Sequence, residues 1–260
     1  MFGVEENIRG VMNLKGKILI ILTFVIIGFK GSQVLFANDE DEAALPINPT
    51  DSLSETPILL INHIDSIGED EKERYLHLTE KDFQLVAEEL DLEVAVIKAV
   101  VEIEAGKAMK GFWAPGIPVI NFDRVMYNKY RNRASSKEGA KGETIPEGLA
   151  GYAKKEWTEL IEARKQNAQG ANLGTFWGMF QIGGFNYRLC GCESVDEFVK
   201  RMAYSELEQL QLFAVFISNS GMVESLRKKD WATFARKYNG PSYARRGYHT
   251  KMAKAYAKYS

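Results

Sequence analysis

Two glutamates close a helix that is otherwise almost entirely apolar. Between about Leu92 and Ala105 stand Val94, Ala95, Val96, Ile97, Ala99, Val100, Val101 and Ile103, hydrophobic nearly all round, the mark of a buried helix. At about 100° per residue, Glu102 falls on the side of Asp91, Ala95 and Lys98. Lys98, one turn back, accounts for it as an ordinary ion-pair partner. Glu104 falls opposite, with Ile97, Val100 and Val101. A carboxyl there loses hydration, and the negative end of the helix dipole further disfavours its charge, so its pKa should rise. A carboxylic acid still protonated near neutral pH can protonate a leaving oxygen, as in glycosidic bond cleavage. Alternatively, Glu104 bonds a backbone amide or Arg124 and serves structure.

The elements that must position such a residue are mostly helical. Thr79 and Asp82 form a capping-box pattern, and Phe83, Val86, Ala87 and Leu90 follow at helical spacing. Ser194 opens a second helix with Phe198 and Met202 on one face; Ser205 opens a third with Leu207, Leu210, Ala214 and Ile217. Asp230 caps a helix carrying Trp231, Phe234, Ala235 and Tyr238, which Gly240 and Pro241 end. A final helix aligns Tyr248, Met252, Ala255, Tyr256 and Tyr259. Residues 117–123, IPVINFD, are the one convincing strand, after a turn at Pro115 and Gly116. No repeat of solenoid length is present. The expected class is mainly α, with a small β excursion near residues 117–123.

Composition limits the wider organisation. The 260 residues are 45% hydrophobic, 26% charged and 11% aromatic, which describes a globular chain with a substantial core. The net charge of −2 averages unlike segments. Residues 1–37 carry +2 and include a twelve-residue apolar run at 18–29, behind Lys15 and Lys17. As a helix that run spans about 18 Å, short of a hydrocarbon core of about 30 Å, so it reads as an export signal cut near Ala37; an uncleaved anchor is the alternative. Residues 38–56 hold six acids and no base, an extended acidic linker, and 57–77 lead into a folded domain at 78–260. Cys190 and Cys192 are the only cysteines: too few for a structural zinc site, they either bridge or remain buried thiols.

Several stretches carry a resemblance. Residues 97–105, IKAVVEIEA, are similar to the helix that ends in the catalytic Glu-Ser of lysozymes and soluble lytic transglycosylases. Over residues 78–259 the chain more closely resembles the N-acetylmuramidase family of phage endolysins and bacterial cell-wall hydrolases. That family's succession LTxxDF, IKAVxExES, PVILFER, SWGLFQIMGFN, FVxxM, DWxxFxxxYNGP and YxxKxxxAY is matched here by LTEKDF, IKAVVEIEA, PVINFDR, FWGMFQIGGFN, FVKRM, DWATFARKYNGP and YHTKMAKAY. Each element alone is weak; seven in order are specific.

The resemblance implies a lysozyme-like, two-lobed helical domain with a glycan groove between the lobes. It maps the family's acid onto Glu104, the residue already singled out on the helical wheel. Ala105 replaces the family's serine, and Asp123 replaces the glutamate of the FER element, one methylene shorter. Asp123 is the candidate second carboxylate, or else a structural partner of a base such as Arg124. Gln181 can donate and accept at once, which suits an N-acetyl or hydroxyl group. Trp177, Phe180 and Tyr238 either stack on sugar rings or belong to the core, and Asn239 either contacts glycan or caps its helix.

The implied activity is hydrolysis of the β-1,4 bond between N-acetylmuramic acid and N-acetylglucosamine by an exported, periplasmic or secreted monomer. Peptidoglycan strands are its partner, and no metal or organic cofactor is needed. A lytic transglycosylase using Glu104 as both acid and base, and a catalytically inactive wall-binding domain, are the alternatives. Residues 231–260 hold seven Lys or Arg, five Tyr and no Asp or Glu, a composition suited to anionic polymers. Export argues against nucleic acid, and membrane contact would be confined to an uncleaved amino terminus.

Overall fold

The computed structural model describes residues 77–106 and 109–260. The expected leader, the acidic linker and all but the last residue of the lead-in lie outside the described residues. Thr79 sets the first helix, α1 (Glu80–Glu89), through the reciprocal capping box expected from its pattern. Its side chain accepts from Asp82 N, while Asp82 Oδ2 accepts from Thr79 N at 2.7 Å. Next comes α2 (Val94–Glu104), where Val96, Ile97, Val100 and Val101 are all buried.

The strand expected at residues 117–123 is divided. Strand β2 (Ile117–Pro118) pairs antiparallel with β1 (Phe112–Ala114), whereas β3 (Ile120–Phe122) pairs antiparallel with β4 (Thr175–Trp177). Strand β4 in turn pairs with β5 (Ile182–Gly183). The break falls at Val119, whose N–H donates to Gly111 O and whose carbonyl accepts from Gly178 N, both at 2.8 Å. Pro118 has no N–H with which to continue a ladder, so the two small sheets meet there.

Helices enclose these sheets: α3 (Arg124–Arg131), α4 (Gly151–Gln166), α5 (Ala168–Leu173), α6 (Val195–Met202), α7 (Glu206–Asn219), α8 (Val223–Arg227), α9 (Trp231–Asn239) and α10 (Tyr248–Tyr259). Ser194, Ser205 and Asp230 cap α6, α7 and α9 as expected. Buried polar side chains tie helices to strands and turns. Glu156 of α4 accepts from Phe122 N at 2.8 Å. Glu206 of α7 accepts from Gly111 N at 2.8 Å and Leu78 N at 3.1 Å. Gln209, fully buried, accepts from Met179 N and donates to Met202 O, each at 2.8 Å. Arg201 and Glu208 form a buried pair at 2.7 Å. Helix α10 packs along α2, closing the apolar face that Glu104 interrupts. Cys190 and Cys192 are two free, buried thiols.

Candidate active site

Glu104 is the last residue of α2, only 8% exposed. The helix has spent its apolar residues on the core, so the carboxyl is carried inward with them. Burial pushes its pKa up to about 7, against a smaller lowering by a hydrogen bond from Asn239. That bond runs from Asn239 Nδ2 to Glu104 Oε1 at 3.1 Å, and Oε2 has no partner among the described residues. Since Oε1 accepts, the proton of the neutral acid resides on Oε2. Glu102 behaves differently: it is more exposed and meets Lys258 Nζ at 2.6 Å and the Tyr259 hydroxyl. The two glutamates divide as on the wheel, but the ion-pair partner of Glu102 is Lys258 of α10 rather than the expected Lys98, which pairs with Glu80.

Asn239 ends α9, and Gly240, at φ 72°, turns the chain away in a conformation that favours glycine. Its neighbour Tyr238 anchors it. The Tyr238 hydroxyl donates to Phe180 O at 2.8 Å, and its ring stacks on Phe234 at 5.5 Å. Tyr248, at the start of α10, is also buried beside the acid; burial and then the Glu104 charge push its hydroxyl up to about 12. This tyrosine was legible only as part of a core stripe, because nothing in its own helix reveals a carboxyl on another.

Asp123 is the N-cap of α3. Its Oδ1 accepts from Val125 N at 2.8 Å and Met126 N at 3.0 Å, satisfying two N–H groups that a helix start leaves free. Arg124 turns outward to Glu159 at 3.5 Å. Gln181 is buried at φ 50° in the β4–β5 turn, with Nε2 donating to Gly178 O at 2.8 Å and Oε1 unpartnered.

Trp177, Phe180 and Tyr238 do not offer ring faces to a sugar. Each is at most 1% exposed. Trp177 Nε1 donates to Asn172 O at 3.0 Å, and Phe180 stacks on Phe213 at 4.2 Å. The physical reason lies in the turn between β4 and β5: Gly178 sits at φ 69°, where a Cβ would come within 2.8 Å of Gln209 and Met202. Trp177 and Phe180 flank this tightly packed turn, and Tyr238 reaches it through its hydroxyl bond to Phe180 O. The structure thus brings Glu104 and Asn239 together, backs them with Tyr238 and Tyr248, and engages Asp123 through Oδ1 at the start of α3.

An open cleft of about 570 Å³ is lined by Lys141, Glu143, Arg164, Asn172, Asp196 and Lys200 among others, and does not include Glu104. Arg164 there is held by Asn172 Oδ1 at 2.8 Å and by Glu143, an arrangement that fastens the segment before α4. Volume alone does not mark a reactive site; a desolvated, half-satisfied carboxyl is the stronger signal, and it makes Glu104 the candidate. Among the described residues, no three of His, Cys, Asp or Glu gather to hold a metal ion.

The family model for N-acetylmuramidases matches residues 93–260. Among solved structures, the crystal structure of the Burkholderia AP3 phage endolysin is similar, with 37% identity, 70% of each chain covered and a TM-score of 0.59. No curated protein matches.

Proposed function

Since the chain belongs to the N-acetylmuramidase family, we propose that it cleaves the β-1,4 bond between N-acetylmuramic acid and N-acetylglucosamine in peptidoglycan, with Glu104 as general acid. The observation that carries this reading is the Glu104 carboxyl: buried, raised to about pKa 7, held at Oε1 and free at Oε2. Oε2 delivers its proton to the leaving oxygen as the glycosidic bond breaks. Because Oε2 is enclosed in the ligand-free chain, glycan binding has to displace some of the groups that cover it.

Asn239 holds the acid by its amide, and Tyr248 keeps water from it. Asp123 caps α3, and this reading asks no chemistry of it. Glu104, left as the carboxylate, then takes the proton of the group that attacks the oxocarbenium centre: water gives hydrolysis, and the muramic acid's own 6-hydroxyl gives transglycosylation. The chain acts as an exported monomer, delivered by residues 1–37.

Digestion of purified peptidoglycan by the chain lacking residues 1–37, followed by mass analysis of the muropeptides, tests this. Reducing muramic acid ends are expected. Products lighter by one water establish a transglycosylase instead, and the absence of soluble product overturns the enzyme reading. Expression of the full chain followed by fractionation and amino-terminal sequencing tests export: a product still beginning at Met1 in the cytoplasm overturns it.

A further inference from the structure

Among the described residues nine buried polar side-chain atoms lack a hydrogen-bond partner, and four of these belong to Glu104, Asn239, Arg246 and His249. The first two are the acid and its holder. The last two lie on one short stretch, which leaves Asn239 through Gly240 and comes back at Tyr248, the tyrosine that senses the Glu104 charge. The Tyr248 hydroxyl feels both the Glu104 charge and the Arg246 guanidinium, so Arg246 is joined to the acid through Tyr248, and His249 follows Tyr248 in the first turn of α10.

Arg246 is an unanswered cation, and His249 adds an unmet ring nitrogen beside it in the chain. The buried arginines Arg164 and Arg201 each meet a carboxylate, Glu143 and Glu208. Arg246, half-buried, joins no ion pair among the described residues; its guanidinium lies beside the Tyr248 hydroxyl, and Nη1 is enclosed without a partner. An arginine N–H left in that state costs free energy that an anionic acceptor would recover. His249 Nδ1 is likewise unmet, and the ring is steadied edge-on against Tyr243 at 5.4 Å. The first turn of α10, where His249 stands, contains no acid, and its N-cap is Gly247, which supplies no side chain. Arg245, Lys251 and Lys254 are exposed around it.

We propose that Arg246, with His249, reads the carboxylate on the lactyl or peptide branch of the muramic acid residue next to the scissile bond. N-acetylglucosamine has an uncharged hydroxyl at the corresponding carbon, so this contact distinguishes the two sugars and sets which one lies over Glu104. The inference rests on the muramidase reading for the identity of the glycan, and on Arg246 for the charge.

Binding by calorimetry tests it, in the Glu104→Gln chain so that nothing is consumed. Four β-1,4 tetrasaccharides serve as probes: all N-acetylglucosamine, and alternating muramic acid forms with free lactyl carboxylates, with lactyl methylamides, and with stem peptides. The charged forms should bind about tenfold more tightly than the neutral ones, the scale of one charge-assisted hydrogen bond. The free-lactyl and peptide forms separate the two sources of the carboxylate. Adding Arg246→Gln should level charged and neutral probes without weakening the neutral ones, and His249→Gln should reduce the advantage in part.

An undiminished charge preference in Arg246→Gln overturns the proposal, as does its absence in the parent. Should Arg246→Gln lose its melting transition, salt titration of the parent and His249→Gln carry the test, and a preference insensitive to both overturns it. Release of reducing ends is scored separately with Glu104 intact. Charge preference without cleavage defeats the muramidase reading alone; cleavage without charge preference defeats this inference alone.

Discussion

Asn239 Nδ2 donates to Glu104 Oε1 at 3.1 Å, across 135 positions of sequence. One short contact thereby distinguishes the two carboxyl oxygens: Oε1 is held, and Oε2 has no partner among the described residues. The contact also opposes the effect of burial, since an N–H donor favours the ionised form.

Activity on peptidoglycan should therefore fall as pH rises through about 7, where Glu104 loses its proton. Asn239→Ala removes a lowering influence, so this basic limb should move to higher pH while the rate declines through lost positioning. Glu104→Gln should lose about 10²–10⁴-fold in kcat/KM, whereas Glu102→Gln should stay near the parent. Rates of wall solubilisation against pH decide it; a limb that moves downward in Asn239→Ala counts against the assignment.

Stability should fall over the same pH range, for the same reason. A carboxyl whose folded pKa is raised from 4.5 to about 7 favours the fold fully below about pH 4.5, and that contribution is lost as pH climbs through 7. The gap corresponds to about 3 kcal/mol at higher pH. Glu104→Gln, which cannot ionise, should gain up to about that much over the parent at pH 8 and little at pH 4. Denaturant melts at the two pH values measure this, and equal differences at both would contradict the burial argument.

Asp123 offers a separable test of cap against catalyst. Asparagine caps a helix about as well as aspartate, while alanine costs about 1 kcal/mol. Asp123→Asn should keep both the melting temperature and most of the activity, and Asp123→Ala should lose stability first. An Asp123→Asn chain that is fully folded yet inert would restore a catalytic aspartate.

Core rings should behave as core. Phe180→Ala removes the partner of Phe213 and should cost about 3–5 kcal/mol. Trp177→Phe deletes the donor to Asn172 O and should cost about 1–3 kcal/mol, with KM for glycan changing less than about twofold, the scale of an indirect effect. A raised KM in a chain of unchanged stability would return Trp177 to the sugar.

Local patterns were legible wherever a helix answers mainly to its own residues. Thr79 and Asp82 announce a capping box, and the wheel around Ile97 and Val100 separates Glu104 from Glu102. What escaped were relations between elements. Pro118 could be seen, but that Val119 bonds to Gly111 on one side and Gly178 on the other depends on which strands meet. The ring-rich segment around Trp177 suits a sugar platform and a core equally; burial decides it. Helix α4 was missed because Glu156 and Arg164, turned inward to meet Phe122 N and Asn172, blur its apolar stripe. The partner of Glu104 lay on a helix that sequence spacing could describe but could not bring alongside.

The packing of α10 along α2 has a temporal meaning. During synthesis the acid emerges well before the residues that desolvate and hold it. A nascent chain that ends before residue 239 has the carboxyl but neither its amide partner nor the helix that shields it, and such a carboxyl stays ionised at neutral pH and cannot donate a proton. The environment that keeps Glu104 protonated is thus completed almost last, when α9 and α10 have both been made.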